Sequence, residues 1–291
     1  MSVESFIPTV WAAELLKNLY DSHVFAKEGL CNRDYEGEIK GMGSSVRINS
    51  VGPISTKAFA RNTDIDAPDT VNMADMQLLI DQGRYFHFFI DNVDAKQARA
   101  SFRADAMREA ADSVADDIDT FLSTLINAGV DGTANDITNG TPVTVGQGAG
   151  EKDFYPYVVQ MGKILDENNT PASGRWLVVP PFAEAQMRLD DRFVGFGTST
   201  TRDALRGDPI FRAGGFTIYK SNRLPAGAGT SKVVLGGYRG AVSFAEQIEE
   251  MSAYKPERRF GDAIKELHIY GGKVTRPANL VAMEVVEGEY A

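Results

Sequence analysis

The chain has 291 residues, of which 43% are hydrophobic and 24% are charged, so it can bury a core and form one large or two ordinary domains. Its formal net charge is −10 at pH 7, which argues against a general nucleic-acid binder, because such proteins neutralise phosphates with clustered lysine and arginine side chains. The single cysteine, Cys31, excludes an internal disulfide and a cysteine-rich zinc site. No apolar run reaches the roughly 18 residues that a membrane-spanning helix needs.

The N-terminal quarter of the chain shows little sign of a core of its own. Residues 5–20 predict a short helix, with Trp11, Leu15 and Leu19 at four-residue spacing. Residues 21–70 are rich in glycine and charge and contain short β-like pieces such as residues 45–49, which indicates a long extended loop or a β-hairpin. Loops of this length are usually functional, so we expect this one to lie on another subunit.

Residues 76–90 predict one strand, because aromatic side chains alternate between its two faces. Phe86, Phe88 and Ile90 point one way, and Tyr85, His87 and Phe89 point the other way. Both faces are therefore expected to be partly covered.

Residues 91–129 predict one long amphipathic helix of about 50 Å, which we expect to be the element around which the rest of the chain is organised. Asp91 or Asn92 is expected to cap its first turn, and Gly129 is expected to form a left-handed C-terminal cap. Its apolar stripe consists of Phe102, Ala106, Ala110, Val114, Ile118, Phe121, Leu122 and Leu125.

The polar face of this helix is divided by charge. The first half carries Lys96, Arg99, Arg103 and Arg108, and the second half carries Asp112, Asp116, Asp117 and Asp119. Such a division is typical of a solvated helix face. In an assembly it can also select which end of the helix a neighbour's loop crosses.

The second half of the chain predicts helices packed on a mixed sheet, as one compact domain. Helices are expected at residues 157–167 and 185–189, and a helix or turn at residues 241–251. Strands are expected at residues 176–179, 216–220, 232–235, 264–270 and 280–286.

Two glycine-rich runs resemble phosphate-binding loops in composition alone. Residues 146–150 follow no apolar strand and precede no Gly-Lys-Ser/Thr, and residues 227–232 have the right residue types in a different order. We therefore predict a flexible loop and a strand connection.

The titratable residues form no recognisable catalytic or metal-binding pattern. Asp64, Asp66 and Asp69 begin like a calcium loop but lack the glycine and glutamate that it requires. The three histidines, at positions 23, 87 and 268, lack ligand spacing, and Cys31 lies outside a helix N-terminus. We predict no enzymatic activity, no catalytic residue, no metal and no cofactor.

Seven segments, spread over nearly the whole chain, carry a resemblance to a known family. They read SFIPTVWAA at residues 5–13, NRDYEGEI at 32–39, NTDIDAP at 62–68, YFHFFID at 85–91, GRWLVVPP at 174–181, GFTIYKSN at 215–222 and RFGD at 259–262. In their order and intervals they resemble the major capsid proteins of tailed bacteriophages, whose fold is shared with herpesvirus shells.

The resemblance implies an α+β major capsid fold with five parts. These are an N-terminal arm at residues 1–30, an extended β-loop at 31–75, a peripheral domain at 76–153 with a spine helix at 91–129, an axial α/β domain at 154–254, and C-terminal strands at 255–291 that return to both domains. Since the arm begins almost at Met1, a separate scaffolding protein is expected instead of a scaffolding segment that is cut away.

The function that the resemblance implies is self-assembly into the icosahedral shell that encloses the double-stranded DNA genome of a tailed phage. The expected partners are further copies of the chain in pentamers and hexamers, a scaffolding protein, a portal, and packaged DNA that is bound without sequence specificity; no membrane is involved. The protein is expected in the virion capsid, after assembly in the host cytoplasm.

Charged side chains are expected to set the register between subunits more than to supply affinity. The predicted subunit-interface residues are Arg33, Asp34, Glu36, Arg47, Lys57, Arg61, Asp64, Asp66, Arg103 and Arg108. Two alternatives remain open at this point: an encapsulin-like cellular nanocompartment shell of the same fold, and a soluble cytosolic hydrolase built on residues 154–254.

Overall fold

The computed structural model describes residues 23–35, 41–51, 56, 61, 73–91, 102–132, 134–148, 150–190, 212–257 and 261–289. The strands are β1 (Ser45–Val51), β2 (Met73–Leu79), β3 (Gln82–Asp91), β4 (Val143–Val145), β5 (Arg175–Val179), β6 (Arg212–Ala213), β7 (Phe216–Lys220), β8 (Lys232–Tyr238), β9 (Val242–Tyr254), β10 (Gly261–Val274) and β11 (Leu280–Glu287). The helices are α1 (Phe102–Gly129), α2 (Tyr155–Glu167) and α3 (Pro181–Leu189).

The described strands form three sheets. β1 and β2 pair as an antiparallel ribbon. β3, β10 and β9 form an antiparallel sheet in that order. The third sheet has the order β4-β11-β8-β5-β7-β6 and is mixed, because β5 pairs with β7 in parallel and with β8 antiparallel.

The extended region contains the strand that was predicted at residues 45–49. β1 pairs with β2 from Ser45 opposite Leu79 to Val51 opposite Met73. The predicted helix at residues 5–20 lies outside the described residues. The ribbon packs its apolar side chains on the sheet of β9 and β10. Its buried residues Val46, Ile48 and Leu78 lie in one cluster with Ala245 and Ile269.

The prediction of one strand at residues 76–90 is wrong, because the chain changes sheets at residues 80–81. Ile80 still belongs to the ribbon, since its N–H donates to Ser44 O at 3.0 Å and its carbonyl accepts from Gly43 N at 2.7 Å. β3 then pairs with β10. Gly271 permits the crossing, since a Cβ there would lie 2.1 Å from Leu79 O.

The long helix is present as α1, whose 28 residues span about 42 Å. Asp91 does not cap it, because this residue ends β3 opposite Gly261. Asn92, the other predicted cap, lies outside the described residues. The predicted start at residue 91 is therefore wrong, and α1 is described from Phe102.

The buried stripe of α1 is partly the predicted one. Val114, Ile118 and Leu122 are buried as expected. The predicted Ala106, Ala110, Phe121 and Leu125 are half-buried, and the fully buried positions that the prediction missed are Met107, Ala111, Ala115 and Ile126. The stripe is thus rotated, because sheets on two sides cover the helix.

Two residues of α1 were assigned the wrong role. Asp119 is 3% exposed and does not belong to the solvated face. Gly129 is the last helical residue and has no positive φ, so it forms no left-handed cap. A Cβ at Gly129 would lie 2.5 Å from Val274 Cγ2, which shows that this glycine permits the close approach of β10.

The mixed sheet is covered on both faces, as the alternation in β5 shows. Trp176 and Val178 pack in the cluster that contains α1, and Leu177 and Val179 pack in the cluster that contains α2 and α3. β7 has its predicted bounds, and α2, β5, β8, β10 and β11 contain the segments that were predicted for them. α3 begins at Pro181 and not at residue 185, because proline fits the first helical turn.

The prediction of a helix or turn at residues 241–251 is wrong. Arg239–Ala241 forms a short 3₁₀ turn, and the following residues form β9. β9 pairs with β10 from Val242 opposite Val274 to Tyr254 opposite Ala263. This long register supplies backbone hydrogen bonds and side-chain packing that outweigh the helix preference of Ala, Glu, Gln and Met residues.

Candidate assembly surface

An open groove between β3 and α1 presents aromatic side chains to solvent. Its strand side includes Tyr85, Phe86 and Phe88, and its helix side includes Ala106 and Ala110. Phe86 and Phe88 stack with their ring centroids 5.8 Å apart and also pack on the core. Tyr85 is 77% exposed, more than any other large apolar side chain described. Exposed aromatic surface of this kind is typical of a contact with another protein.

The strand that lines the groove is also a sheet edge. β3 pairs with β10 alone among the described strands, so the N–H and C=O groups of its outer side have no partner strand there. Natural proteins usually protect or use such an edge, because it can pair with another chain. The groove and the edge together form one surface, which we call the β3–α1 surface.

Acidic side chains border this surface. Glu109 and Asp117 lie along the helix side, and Asp117 accepts a bond from Arg84 Nε at 3.1 Å. Asp116, which precedes Asp117 on α1, forms an ion pair with Arg223. These exposed pairs orient side chains but add little stability, because water screens them.

The predicted interface residues lie on separate elements. Four of them are exposed. These are Asp34 on the segment 23–35, Arg47 on β1, Arg61 on a turn and Arg108 on α1. Glu36, Lys57, Asp64, Asp66 and the side chain of Arg103 lie outside the described residues.

Arg33 differs from the other predicted interface residues in its burial. Its side chain is 9% exposed and forms an ion pair with Glu246 of the same chain. A second bond runs from Arg33 Nη1 to Ala26 O, at 2.9 Å. The role of all ten residues in subunit contacts stays a prediction.

The glycine-rich run at residues 146–150 binds a carboxylate of the chain itself. Glu151 accepts hydrogen bonds from Gly148 N at 2.9 Å and from Glu289 N at 3.0 Å. A Cβ at Gly146 would lie 1.9 Å from Glu151 Oε2, and one at Gly288 would lie 2.6 Å from it. The glycines thus make room for a side chain that ties the end of β11 to this loop.

The second glycine-rich run, at residues 227–232, uses the same device. Glu284 Oε2 accepts from Ala228 N and from Ser231 Oγ, both at 3.2 Å. A Cβ at Gly227 would lie 2.6 Å from this oxygen. Both runs therefore resemble anion-binding loops because each binds a carboxylate of the same chain. The sequence alone could not show that Glu151 and Glu284 are the bound anions.

Cys31 has no nucleophilic character. The side chain is 1% exposed, and burial raises the pKa of its thiol to about 12, so the thiolate is not populated at neutral pH. Among the described residues no cluster of histidine, cysteine and acidic side chains has the geometry to hold a metal ion. The described helices likewise include none that is both long and apolar enough to cross a bilayer.

Comparisons with known proteins agree with the resemblance of the sequence. The family described as phage capsid protein matches residues 83–283, which run from β3 to β11. A chain of Mycobacterium phage Che8 is 25% identical, with a TM-score of 0.64 and 90% of each chain covered. No curated protein matches the chain.

More distant structures share the fold. The capsid of Ralstonia phage GP4 is 13% identical with a TM-score of 0.66, and 93% of this chain and 91% of that chain are covered. A virus-like particle from Pyrococcus furiosus is 12% identical with a TM-score of 0.52, and 93% and 96% are covered. Because the family match includes α1 and strands of both larger sheets, the chain belongs to the phage capsid protein family.

Proposed function

We propose that this chain is the major capsid protein of a tailed bacteriophage and that its copies assemble into the icosahedral shell around the double-stranded DNA genome. The observation that carries the proposal is the family match over residues 83–283. The likeness in fold to the capsid of Ralstonia phage GP4 supports it. The function is then mechanical, because many small contacts between identical subunits add to a closed container.

The parts of the subunit receive their roles from this proposal. α1 is the spine of the peripheral domain, and the sheet of β5, β7, β8 and β11 is the centre of the axial domain. The ribbon of β1 and β2 is the base of the extended loop, and the chain before residue 31 is the arm. β9 and β10 pack against the β1–β2 ribbon in one cluster and against α1 in another, which supports a rigid link between the extended loop and the spine helix.

The β3–α1 surface receives the extended loop of a neighbouring subunit. Two features support this contact: the exposed aromatic groove, and the edge of β3, which has no partner strand among the described strands. Both surfaces carry both signs of charge. Arg84 lies with Glu109 and Asp117 in the groove, and the predicted loop residues include acids such as Asp64 as well as cations such as Arg61. Complementary charge selects the partner and its register.

The remaining partners belong to the same proposal. A scaffolding protein and a portal act during assembly in the host cytoplasm. The DNA is enclosed without sequence-specific contacts, which the net charge of −10 supports, since an acidic wall repels phosphates.

The size of the purified protein tests the shell. We expect megadalton particles in light scattering, and pentamers and hexamers in electron micrographs. A monomer or dimer under every assembly condition would contradict the proposal. Arg61→Glu is expected to impair assembly and leave the subunit folded, as judged by circular dichroism, whereas Lys163→Glu on α2 is the matched charge reversal outside the predicted contact.

A second candidate is the shell of a cellular nanocompartment. The observation in its favour is the shared fold with the virus-like particle from Pyrococcus furiosus. Electron micrographs of particles from the native source separate the two functions. Tails and packaged DNA support the phage capsid, and tailless particles that contain protein cargo support the nanocompartment.

A further inference from the structure

Six ionisable side chains from four parts of the chain form a buried cluster, which we call the His–carboxylate cluster. Its members are His23 and Arg33 from the segment 23–35, Asp119 from α1, Glu246 from β9, and Glu266 and His268 from β10. The exposed fraction of each side chain is 9% or less. Ionisable side chains are rarely buried so fully unless they are paired.

His268 lies between two carboxylates. Its Nε2 is 3.1 Å from Glu246 Oε2, and its Nδ1 is 3.4 Å from Glu266 Oε1. A neutral imidazole has one N–H, so one ring nitrogen would present its lone pair to a carboxylate oxygen. The imidazolium form has an N–H on each nitrogen and therefore fits this position.

His23 has the same surroundings on the other side of Glu246. Its Nδ1 is 3.6 Å from Asp119 Oδ1, and its Nε2 is 3.7 Å from Glu246 Oε2. Both contacts are ion-pair distances without hydrogen bonds. His23 therefore connects α1 to β9 only while it carries a positive charge.

The charges of the cluster balance when both histidines are protonated. Three carboxylates, Asp119, Glu246 and Glu266, then face three cations, namely the two imidazolium groups and Arg33. Loss of both protons leaves two uncompensated negative charges in the interior, which is costly where water is excluded. The neighbouring titratable groups do not restore the balance, since Tyr270 and Cys31 are neutral acids whose pKa values are raised by burial.

The cluster fastens one segment of the chain to the rest. Asp119 accepts from the backbone N–H of Val24 at 2.7 Å and of Phe25 at 3.0 Å. Arg33 reaches Glu246 from the other end of the same segment. Its other attachments are buried side chains such as Phe25 and two backbone bonds between Asn32 and β9.

We propose that the His–carboxylate cluster is a proton-dependent latch that holds residues 23–35 on α1 and β9 and releases them as the pH rises. The proposal concerns the subunit itself and does not depend on the proposed function.

The pKa shifts give the direction and the pH range. Burial lowers the pKa of His268, but its bonds to Glu246 and Glu266 outweigh burial and raise the pKa to about 9. Burial also opposes the charge on His23, yet Asp119 and Glu246 raise its pKa above the usual value. His268 keeps Glu246 and Glu266 when the segment leaves, because they lie on β9 and β10, whereas His23 leaves with the segment and loses Asp119 and Glu246. The pKa of His23 is therefore the one that is higher when the segment is attached, so the stabilisation is complete below pH 6.5 and is lost as the pH rises through the raised pKa of His23.

Hydrogen exchange of the full chain, read by mass spectrometry between pH 7 and pH 10 and corrected for the intrinsic rate, tests the latch. The protection of residues 23–35 is expected to fall as the pH rises and His23 loses its proton, while β10 and α1 stay protected. Protection of residues 23–35 that persists at pH 10 would overturn the proposal. So would a loss that occurs only together with β10 and α1, because that is global unfolding.

Two variants sharpen the test. The variant His23→Gln removes the titrating group that leaves with the segment, so residues 23–35 should lose their pH response. His87→Gln is the control, because His87 is exposed on β3 and contacts Tyr254 outside the cluster. If His23→Gln does not fold, the wild-type and His87→Gln profiles still decide, and they must agree.

Discussion

Three cationic side chains contact the carboxylate of Glu246. Arg33 and both histidines of the cluster approach it from two different segments of the chain. Burial raises the pKa of this carboxyl, but the three cations outweigh burial and hold it well below its usual range. Its charge is thus part of the folded state, although nothing in the local sequence separates Glu246 from the exposed Glu249 and Glu250.

We predict that Glu246→Gln lowers the free energy of unfolding by about 3–5 kcal/mol, because it leaves buried cations without their shared partner. Urea unfolding of the subunit, followed by circular dichroism, measures the loss. Glu250→Gln is the control on the same strand, since its pair with Lys265 at 3.0 Å is exposed and should be worth less than about 1 kcal/mol. Equal losses would contradict the prediction.

Gly129 tests a different residue-scale effect, the close approach of two elements. We predict that Gly129→Ala destabilises the subunit by about 1–3 kcal/mol, because the new methyl group would meet Val274. The gain in helix propensity, at most about 1 kcal/mol, does not offset this overlap. Gly132→Ala is the matched control, since a Cβ there meets nothing within 4 Å. Thermal unfolding that shows the same midpoint for both variants would exclude the overlap.

At the scale of elements, β9 and the glycine-rich loops show how partners decide local structure. β9 contains a helix-favouring sequence, but its pairing with β10 makes it a strand. The loop at residues 146–150 has no regular structure, and Glu151 holds it by bonds to Gly148 and Glu289. In both cases the residues that determine the conformation lie far away in the sequence.

We predict that Glu151→Gln costs about 1–3 kcal/mol, because the amide nitrogen would replace an oxygen that accepts from Gly148 or from Glu289. Amide exchange at residues 287–289 should become faster, since the end of β11 loses its attachment. Glu167→Gln on α2 removes an equal charge from an exposed pair with Lys163 and should leave this exchange unchanged. An unchanged rate in Glu151→Gln would show that the loop needs no charged acceptor.

At the scale of the whole molecule, the β3–α1 surface is an aromatic groove that a single subunit leaves open to solvent. We predict that Tyr85→Glu prevents particle formation, because it places a charge in an apolar contact, while the stability of the subunit changes by less than about 0.5 kcal/mol. Light scattering and urea unfolding measure the two effects. Val159→Glu on α2, at a half-exposed apolar residue, should still assemble. Wild-type particles from Tyr85→Glu would remove this surface from the proposed contact.

The candidate surface was predictable in part. The alternation of aromatic residues in residues 85–90 predicted side chains on both faces of a strand, and the charge division of the helix predicted an acidic end. That Tyr85 stays exposed and that β3 is an edge depend on the sheet order β3-β10-β9. No local pattern contains that order, because β10 follows β3 by about 170 residues.

The sequence by itself determined the elements whose pattern repeats within a few residues and the family to which they belong. α1, α2 and β7 follow from periodicity, since side chains three or four apart share a helix face and alternate side chains share a strand face, and β5 follows from its continuous apolar run. Only the tertiary structure decided that residues 242–254 form a strand, that Gly129 admits β10, and that Arg33 meets Glu246, 213 residues away. Such pairings arise from packing between distant segments, and periodicity does not encode distance in space.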